Sequence, residues 1–212
     1  MIVKVVLVDD HTVVRSGLRR LLESHKSIEI AAEADTGEMA YQLYGEVLPD
    51  VVLMDISMPG MGGLEAAKRI LQRYPQAKIV IFSMHEAVSF AAQALKTGVK
   101  GYVTKTGVAD DLVQAVLDVA KGRTFLSQDV AQKVALQTLI GESNPLQQLT
   151  SREFEVFRLL AEGKRVEDVA EMLKISQKTV ANYYTLIKQK LSVNSPVEMV
   201  RLAMKHGLID TE

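Results

Sequence analysis

The sequence predicts an α/β chain, a doubly wound open (βα)5 sheet followed by a small all-α domain. Three observations support this. Short apolar runs rich in β-branched residues alternate with stretches of helical periodicity through residues 1–122. A turn-rich break follows at Gly141-Glu-Ser-Asn-Pro145. Beyond it only helical periodicity remains.

Val3 to Val8, Val51 to Met54 and Lys78 to Phe82 are nearly continuous in apolar residues, as strands buried on both faces of a parallel sheet require. Residues 28–32 alternate more and suit a strand nearer an edge; Gly101 to Thr104 reads as the fifth strand. Between the strands, apolar residues recur at helical spacing: Val13, Val14, Leu18, Leu21 and Leu22; Met39, Ala40, Leu43 and Val47; Leu64, Ala67, Ile70 and Leu71; then residues 87–96 and 109–121. A short helical stretch, 130–139, leads into the break. The expected organisation is a sheet domain over 1–122, a linker with a short helix over 123–147 and a helical domain over 148–212. The last has helices at 151–162, 166–173, 177–191 and 195–205, closed at Gly163 and Gly207, with a capping box at Thr150-Ser-Arg-Glu153.

At 212 residues and 23.4 kDa the chain has room for one large domain or two small ones, and 48% hydrophobic with 24% charged residues excludes a largely disordered protein. No apolar run approaches the ~20 residues of a membrane span, and the first residues lack a signal-peptide pattern, so a cytoplasmic protein without a membrane partner is expected. The absence of cysteine excludes disulfides, thiolate catalysis and Cys-ligated zinc. His11, His25, His85 and His206 are too dispersed for a local metal motif, so any metal should be hard and oxygen-ligated. Residues 1–148 carry 15 basic and 17 acidic side chains, residues 149–212 carry 10 and 9. More telling is the acid-free stretch from Met172 to Val197, which holds Lys174, Lys178, Lys188 and Lys190 and reads as an anion-facing surface.

In a doubly wound sheet, functional groups collect at the carboxyl ends of strands near the topological switch point. Asp9 and Asp10 end the first strand, Asp55 the third and Ser83 the fourth, and Lys105 follows the fifth. Three converging carboxylates repel one another unless a divalent cation neutralises them, and Mg2+ prefers such oxygen ligands. With a metal and Lys105 to spread phosphoryl charge, a carboxylate can act as nucleophile in acyl-phosphate chemistry, and Asp55 is the candidate. Taken singly, each acid equally suits a solvated strand end or a helix cap.

The segments Leu7-Val-Asp-Asp-His11, Leu53-Met-Asp-Ile-Ser-Met-Pro-Gly-Met-Gly-Gly63, Phe82-Ser83 and Gly101-Tyr-Val-Thr-Lys105 resemble the motifs of two-component response-regulator receiver domains over about residues 1–122. The resemblance implies that Asp55 is the phosphoacceptor and that Asp9, Asp10, Asp55 and the Ser57 backbone carbonyl hold one Mg2+ per receiver. It implies that Lys105 pairs with phosphoryl oxygens, that Ser83 turns toward them on activation, and that the Tyr102 ring changes rotamer with it. An aromatic filling a sheet edge is the plainer reading of Tyr102. His11 is assigned no role and suits a surface or helix-start position.

In the tail, Ser176 is placed to cap a helix opening at Gln177, the arrangement of a recognition helix whose first half meets base edges while lysines meet phosphates. Asn182 has the geometry to pair with adenine, and Lys178, Lys188 and Lys190 add salt-sensitive attraction. A solvated basic helix face fits the same charges. Leu149-Thr-Ser-Arg-Glu153, Leu159-Leu-Ala-Glu-Gly163, Ile175-Ser176, Lys178-Thr-Val180 and Lys190-Leu191 resemble the LuxR-type helix-turn-helix of NarL/FixJ regulators. Gly163-Lys-Arg-Val166, Thr179-Val-Ala-Asn-Tyr183 and His206-Gly-Leu208 resemble its GacA/UvrY branch. Ala181, where the commonest members carry Lys, and Glu167-Asp168 depart from the pattern, so the operator is not read from it. Tyr183 suits either a phosphate or sugar contact or packing in the helix-turn-helix core; Thr179 and Thr185 complete the candidate contacts.

The reading implied is a phosphorylation-controlled transcription regulator. Its partners would be a sensor histidine kinase and double-stranded promoter DNA, with homodimers formed on phosphorylation or on DNA. It is no enzyme beyond promoting its own Mg-dependent phosphorylation and dephosphorylation. A phosphoryl shuttle with a protein-binding tail and a phosphatase-like enzyme are the rival readings, the latter weakened by the lack of an obvious substrate pocket.

Overall fold

Alternation of buried apolar runs with amphipathic helices produces, in the computed structural model of residues 2–107, 109–140 and 144–209, a doubly wound sheet. Strands β1 (Val3–Val8), β2 (Ile28–Ala34), β3 (Val51–Met54), β4 (Ile79–Ser83) and β5 (Gly101–Thr104) alternate with helices α1 (Thr12–Glu23), α2 (Gly37–Val47), α3 (Gly63–Arg73), α4 (Val88–Thr97) and α5 (Ala109–Ala120). All strand pairs are parallel, and β2 lies at the edge as its alternating pattern suggests. A sixth strand, β6 (Phe125–Leu126), joins β5, giving the order β2-β1-β3-β4-β5-β6. The sequence reading left these residues in the linker, because two residues are too short to display a period of 2.

The strands bury both faces. Val5, Leu7, Leu53 and Val103 pack under α1 and α5, while Val6, Val8, Met54, Ile81 and Tyr102 face α2, α3 and α4. Helix α6 (Gln128–Ile140) follows. Of the predicted turn-rich break, residues 141–143 lie outside the described residues; Asn144 caps a 3-10 turn (Pro145–Gln148), its Oδ1 accepting the Leu146 N–H at 3.0 Å.

Helices α7 (Ser151–Ala161), α8 (Val166–Met172), α9 (Gln177–Leu191) and α10 (Pro196–Lys205) complete the chain. The predicted capping box forms: Glu153 N–H donates to Thr150 Oγ1 (3.3 Å) and Thr150 N–H to Glu153 Oε2 (2.7 Å). The two halves are docked. The apolar cluster beneath α2, α3 and α4 runs on into Leu146, Leu149, Phe154 and Phe157, and α7 packs on α3. Gly60, in the loop after β3, donates its N–H to the Met172 carbonyl (2.8 Å) and accepts a bond from Arg152 Nη1 (2.9 Å). Among the described residues no helix is long and apolar enough to cross a membrane.

Candidate functional site

The carboxyl ends of β1 and β3, neighbours in the sheet, bring Asp9 and Asp55 together at the switch point, where they are 1% and 5% exposed. Lys105, in the turn after β5, reaches both, with Nζ 2.7 Å from Asp9 Oδ2 and 2.9 Å from Asp55 Oδ2. Its position is fixed by its own N–H, which donates to the Ser83 carbonyl at 2.8 Å. Burial pushes the Asp55 carboxyl above its ordinary pKa, and Lys105 offsets only part of that. Burial also works against the Lys105 charge, but the bond to Asp9 and the charge of Asp55 outweigh it and hold the ammonium above its usual range.

One ligand atom each from Asp9, Asp10, His11 and Asp55 lies within 4.8 Å of all the others. Asp10 Oδ1 is buried and accepts no hydrogen bond; His11 Nδ1 stands 3.0 Å from it. A shielded, unbonded carboxylate oxygen beside two further carboxylates is the donor set of a hard divalent cation, and the pocket fits one. His11 is the N-cap residue of α1, 65% exposed, as the sequence reading placed it. Its ring nonetheless joins the acidic group.

Ser83 is fully buried at the end of β4, its Oγ accepting the His85 N–H at 3.2 Å. Tyr102 is fully buried on β5 rather than filling an edge, and its phenol donates to the His85 carbonyl at 2.7 Å. Burial raises the Tyr102 pKa and keeps that proton in place. Ser57, two residues beyond Asp55, is exposed and shares a hydrogen bond with His85 Nε2 at 3.0 Å. The His85 ring stacks flat on Phe90 with centroids 3.8 Å apart. Burial, Arg158 and Lys105 push its pKa down to about 4, so it is neutral at physiological pH.

On α9, Ser176 Oγ accepts the Thr179 N–H at 3.1 Å, as predicted. Lys178, Asn182 and Thr185 are exposed, Thr179 is half-buried against Ser176, and the Lys188 ammonium lies 5.6 Å from the Tyr184 ring centroid. Two candidates turn elsewhere. Tyr183 packs partly buried against the core, and Lys190 pairs with the buried Glu153 at 2.6 Å. The sequence reading passed over His85, Arg152 and Glu155; His85 meets Ser57, Arg152 meets Gly60, 92 residues back, and Glu155 lies against Gly62, so no local spacing marks them.

A doubly wound domain with an acidic switch-point pocket, joined to a capped helix-turn-helix, defines a class, and comparison identifies it. Residues 5–117 match the response regulator receiver domain, and residues 147–203 match the bacterial regulatory proteins of the luxR family. The chain belongs to the response regulators with a LuxR-type DNA-binding domain, a family of transcriptional regulators. It is 37% identical over 210 residues to the response regulator GacA of Pseudomonas aeruginosa, covering 98% of each chain. It is 36% identical over 212 residues to the response regulator UvrY of Escherichia coli, covering 99% of this chain and 97% of that one. Among solved structures it resembles RcsB from Salmonella enterica serovar Typhimurium, bound to a promoter in the presence of the phosphomimetic BeF3-; the TM-score is 0.71 and the identity 25%, over 96% of this chain and 98% of that one.

Proposed function

We propose that this regulator is switched by phosphoryl transfer from a sensor histidine kinase to Asp55. The observation that supports this most directly is Lys105 bridging Asp9 and Asp55 in a buried pocket that also holds the unbonded Asp10 oxygen. Asp9, Asp10, Asp55 and the Ser57 carbonyl would hold Mg2+, which supplies charge neutralisation for an incoming phosphoryl group. Lys105 orients Asp55 and leaves it for the phosphoryl oxygens once the carboxylate has become an acyl phosphate. Ser83 then turns its hydroxyl toward the new charge, giving up the His85 N–H, and Tyr102 responds through the same residue. The pocket in this way promotes its own phosphorylation and dephosphorylation without turning over a separate substrate.

The output is binding to promoter DNA in the cytoplasm. Lys178, Lys188 and, once freed from Glu153, Lys190 attract phosphates; Thr179, Asn182 and Thr185 lie along the same helix for closer contacts, and Tyr183 would join them only on leaving its packing against the core. RcsB's complex with a promoter supports this use of the tail. Dimers on phosphorylation or on DNA would pair through α10, matching two-fold half-sites. The test is labelling with a small acyl-phosphate donor and Mg2+. Asp55→Asn is expected to take no hydroxylamine-sensitive label, and to lose the donor's effect on duplex binding; an Asn variant labelled at wild-type stoichiometry refutes the assignment.

A further inference from the structure

The groups proposed to move on activation meet at a residue to which neither the sequence motifs nor the proposed chemistry gives a role. His85 accepts the Tyr102 phenol on its carbonyl (2.7 Å), donates its N–H to Ser83 Oγ (3.2 Å) and shares its Nε2 with the Ser57 hydroxyl (3.0 Å). Its ring lies parallel to Phe90, at 5° and 3.8 Å. Phe90 in turn meets Phe154 of α7 edge-on, at 88° and 5.2 Å. Both phenylalanines are 1% exposed. From Ser83 to the first helix of the DNA-binding domain the path is three rings long.

We propose that His85 is a positioning residue that passes the state of the acidic pocket to the DNA-binding domain, through the stack His85–Phe90–Phe154. The backbone of His85 senses and its ring transmits. When the Ser83 hydroxyl leaves the His85 N–H, one tether of the residue is lost. The Tyr102 phenol is buried and has its acceptor on the same peptide; stranding it would cost about 1–3 kcal/mol, so phenol and His85 carbonyl move together rather than apart. A ring packed at van der Waals distance on a buried neighbour cannot shift without displacing it, because the surrounding core is dense. Phe154 therefore feels a displacement that begins at Ser83. This inference rests on the phosphorylation reading above.

The test uses the full chain, two variants and three readouts. His85→Phe keeps a ring on Phe90, and His85→Ala removes it; both retain the backbone groups that meet Ser83 and Tyr102. Asp55 labelling by an acyl-phosphate donor with Mg2+ is measured alongside donor-induced changes in hydrogen exchange across α7 and in duplex affinity. Both variants are expected to take label at the wild-type stoichiometry. In His85→Ala the donor's effect on duplex affinity should shrink by roughly 2- to 30-fold, with the exchange change in α7 lost; His85→Phe should restore both. A fully responsive, labelled His85→Ala overturns the proposal, as does a labelled His85→Phe that fails as the Ala variant does. Should His85→Ala not fold, the Phe variant still decides between ring and Ser57 bond. Absence of label from the wild type itself would instead remove the phosphorylation reading on which both rest.

Discussion

Glu155→Gln tests the domain interface through pH. Glu155, on α7, is buried against the loop after Asp55, so closely that a Cβ at Gly62 would lie 2.1 Å from its Oε1. Oε2 accepts from Arg152 Nη1 at 2.8 Å, while Oε1 is buried with no hydrogen bond. Burial lifts its pKa from 4.5 to about 7; Arg152 and Arg158 on its own helix pull down, and Glu65 on α3 across the interface pushes up. The folded protein thus holds a proton that the unfolded chain lacks between those two values. Its contribution is fully present below pH 4.5 and is lost as pH rises through 7. Between pH 5 and pH 8 the loss is about 2.5 kcal/mol, from ~1.36 kcal/mol per pKa unit. Gln carries no such proton. The melting temperature of Glu155→Gln should therefore gain on the wild type by about 5–10 °C from pH 5 to pH 8, at roughly 2–4 °C per kcal/mol for a chain of this size. His85, pushed down to about 4, titrates with the opposite sign, stabilising as pH rises from 4 toward 6.5, but it is present in both proteins and cancels from the difference. Scanning calorimetry at pH 5, 6, 7 and 8 reads the gap directly. A gap that stays constant over that range would mean Arg152 keeps Glu155 ionised in the folded state, and the reasoning fails.

Adjacent glycines should separate chemistry from docking. A Cβ at Gly63 would fall 1.9 Å from the Asp55 backbone oxygen, so Gly63→Ala must displace the Asp55 peptide and is expected to lower the rate of Asp55 labelling; at Gly62 the obstacle is the side-chain end of Glu155, so Gly62→Ala should label normally while hydrogen exchange in α7 rises. Two lysines of α9 should differ in kind. Lys190→Ala leaves the Glu153 carboxylate, which is 5% exposed, without its cation and with only the Thr150 N–H, and should lower the melting temperature of the tail by an amount equivalent to about 1–3 kcal/mol, discounted because Lys190 is itself a third exposed. Lys178→Ala, at an exposed position, should leave melting unchanged but weaken duplex binding and reduce its salt slope by about 1.

The contrast between these tests reflects what the sequence made legible. Asp9, Asp55, Ser83 and Lys105 were found because each closes or follows a strand, and a doubly wound topology sends every strand end to one edge. Period and capping placed the four tail helices for the same reason, the signals being local: Thr150 with Glu153, Ser176 with Thr179. What stayed hidden is non-local. Nothing about Glu155 in its own turn of helix distinguishes it from a solvated acid, and only the arrival of Gly62 buries it. Lys190 looked like a phosphate ligand because a run of lysines without acids is basic in sequence, whereas Glu153, 37 residues back, neutralises it in space. Tyr183 could be read either way, and burial against the core settles its present position.

Docking itself has a consequence for regulation that follows from which surfaces it covers. Lys178, Asn182 and Thr185 remain exposed while α7 sits on α3 and Arg152 holds Gly60, so this face of α9 is not what the receiver hides. The covered end is that of α10, where Ser89 Oγ on α4 donates to the His206 carbonyl at 3.0 Å and His206 is 9% exposed. Val197 and Met204, on the same helix, stay open to solvent at 60% and 39%. Separation of the domains therefore changes the surroundings of α10 more than those of α9. Under the proposed function, a switch acting there would alter how two tails are placed on a two-fold site, while Lys178 of α9 is already open to solvent in the docked form.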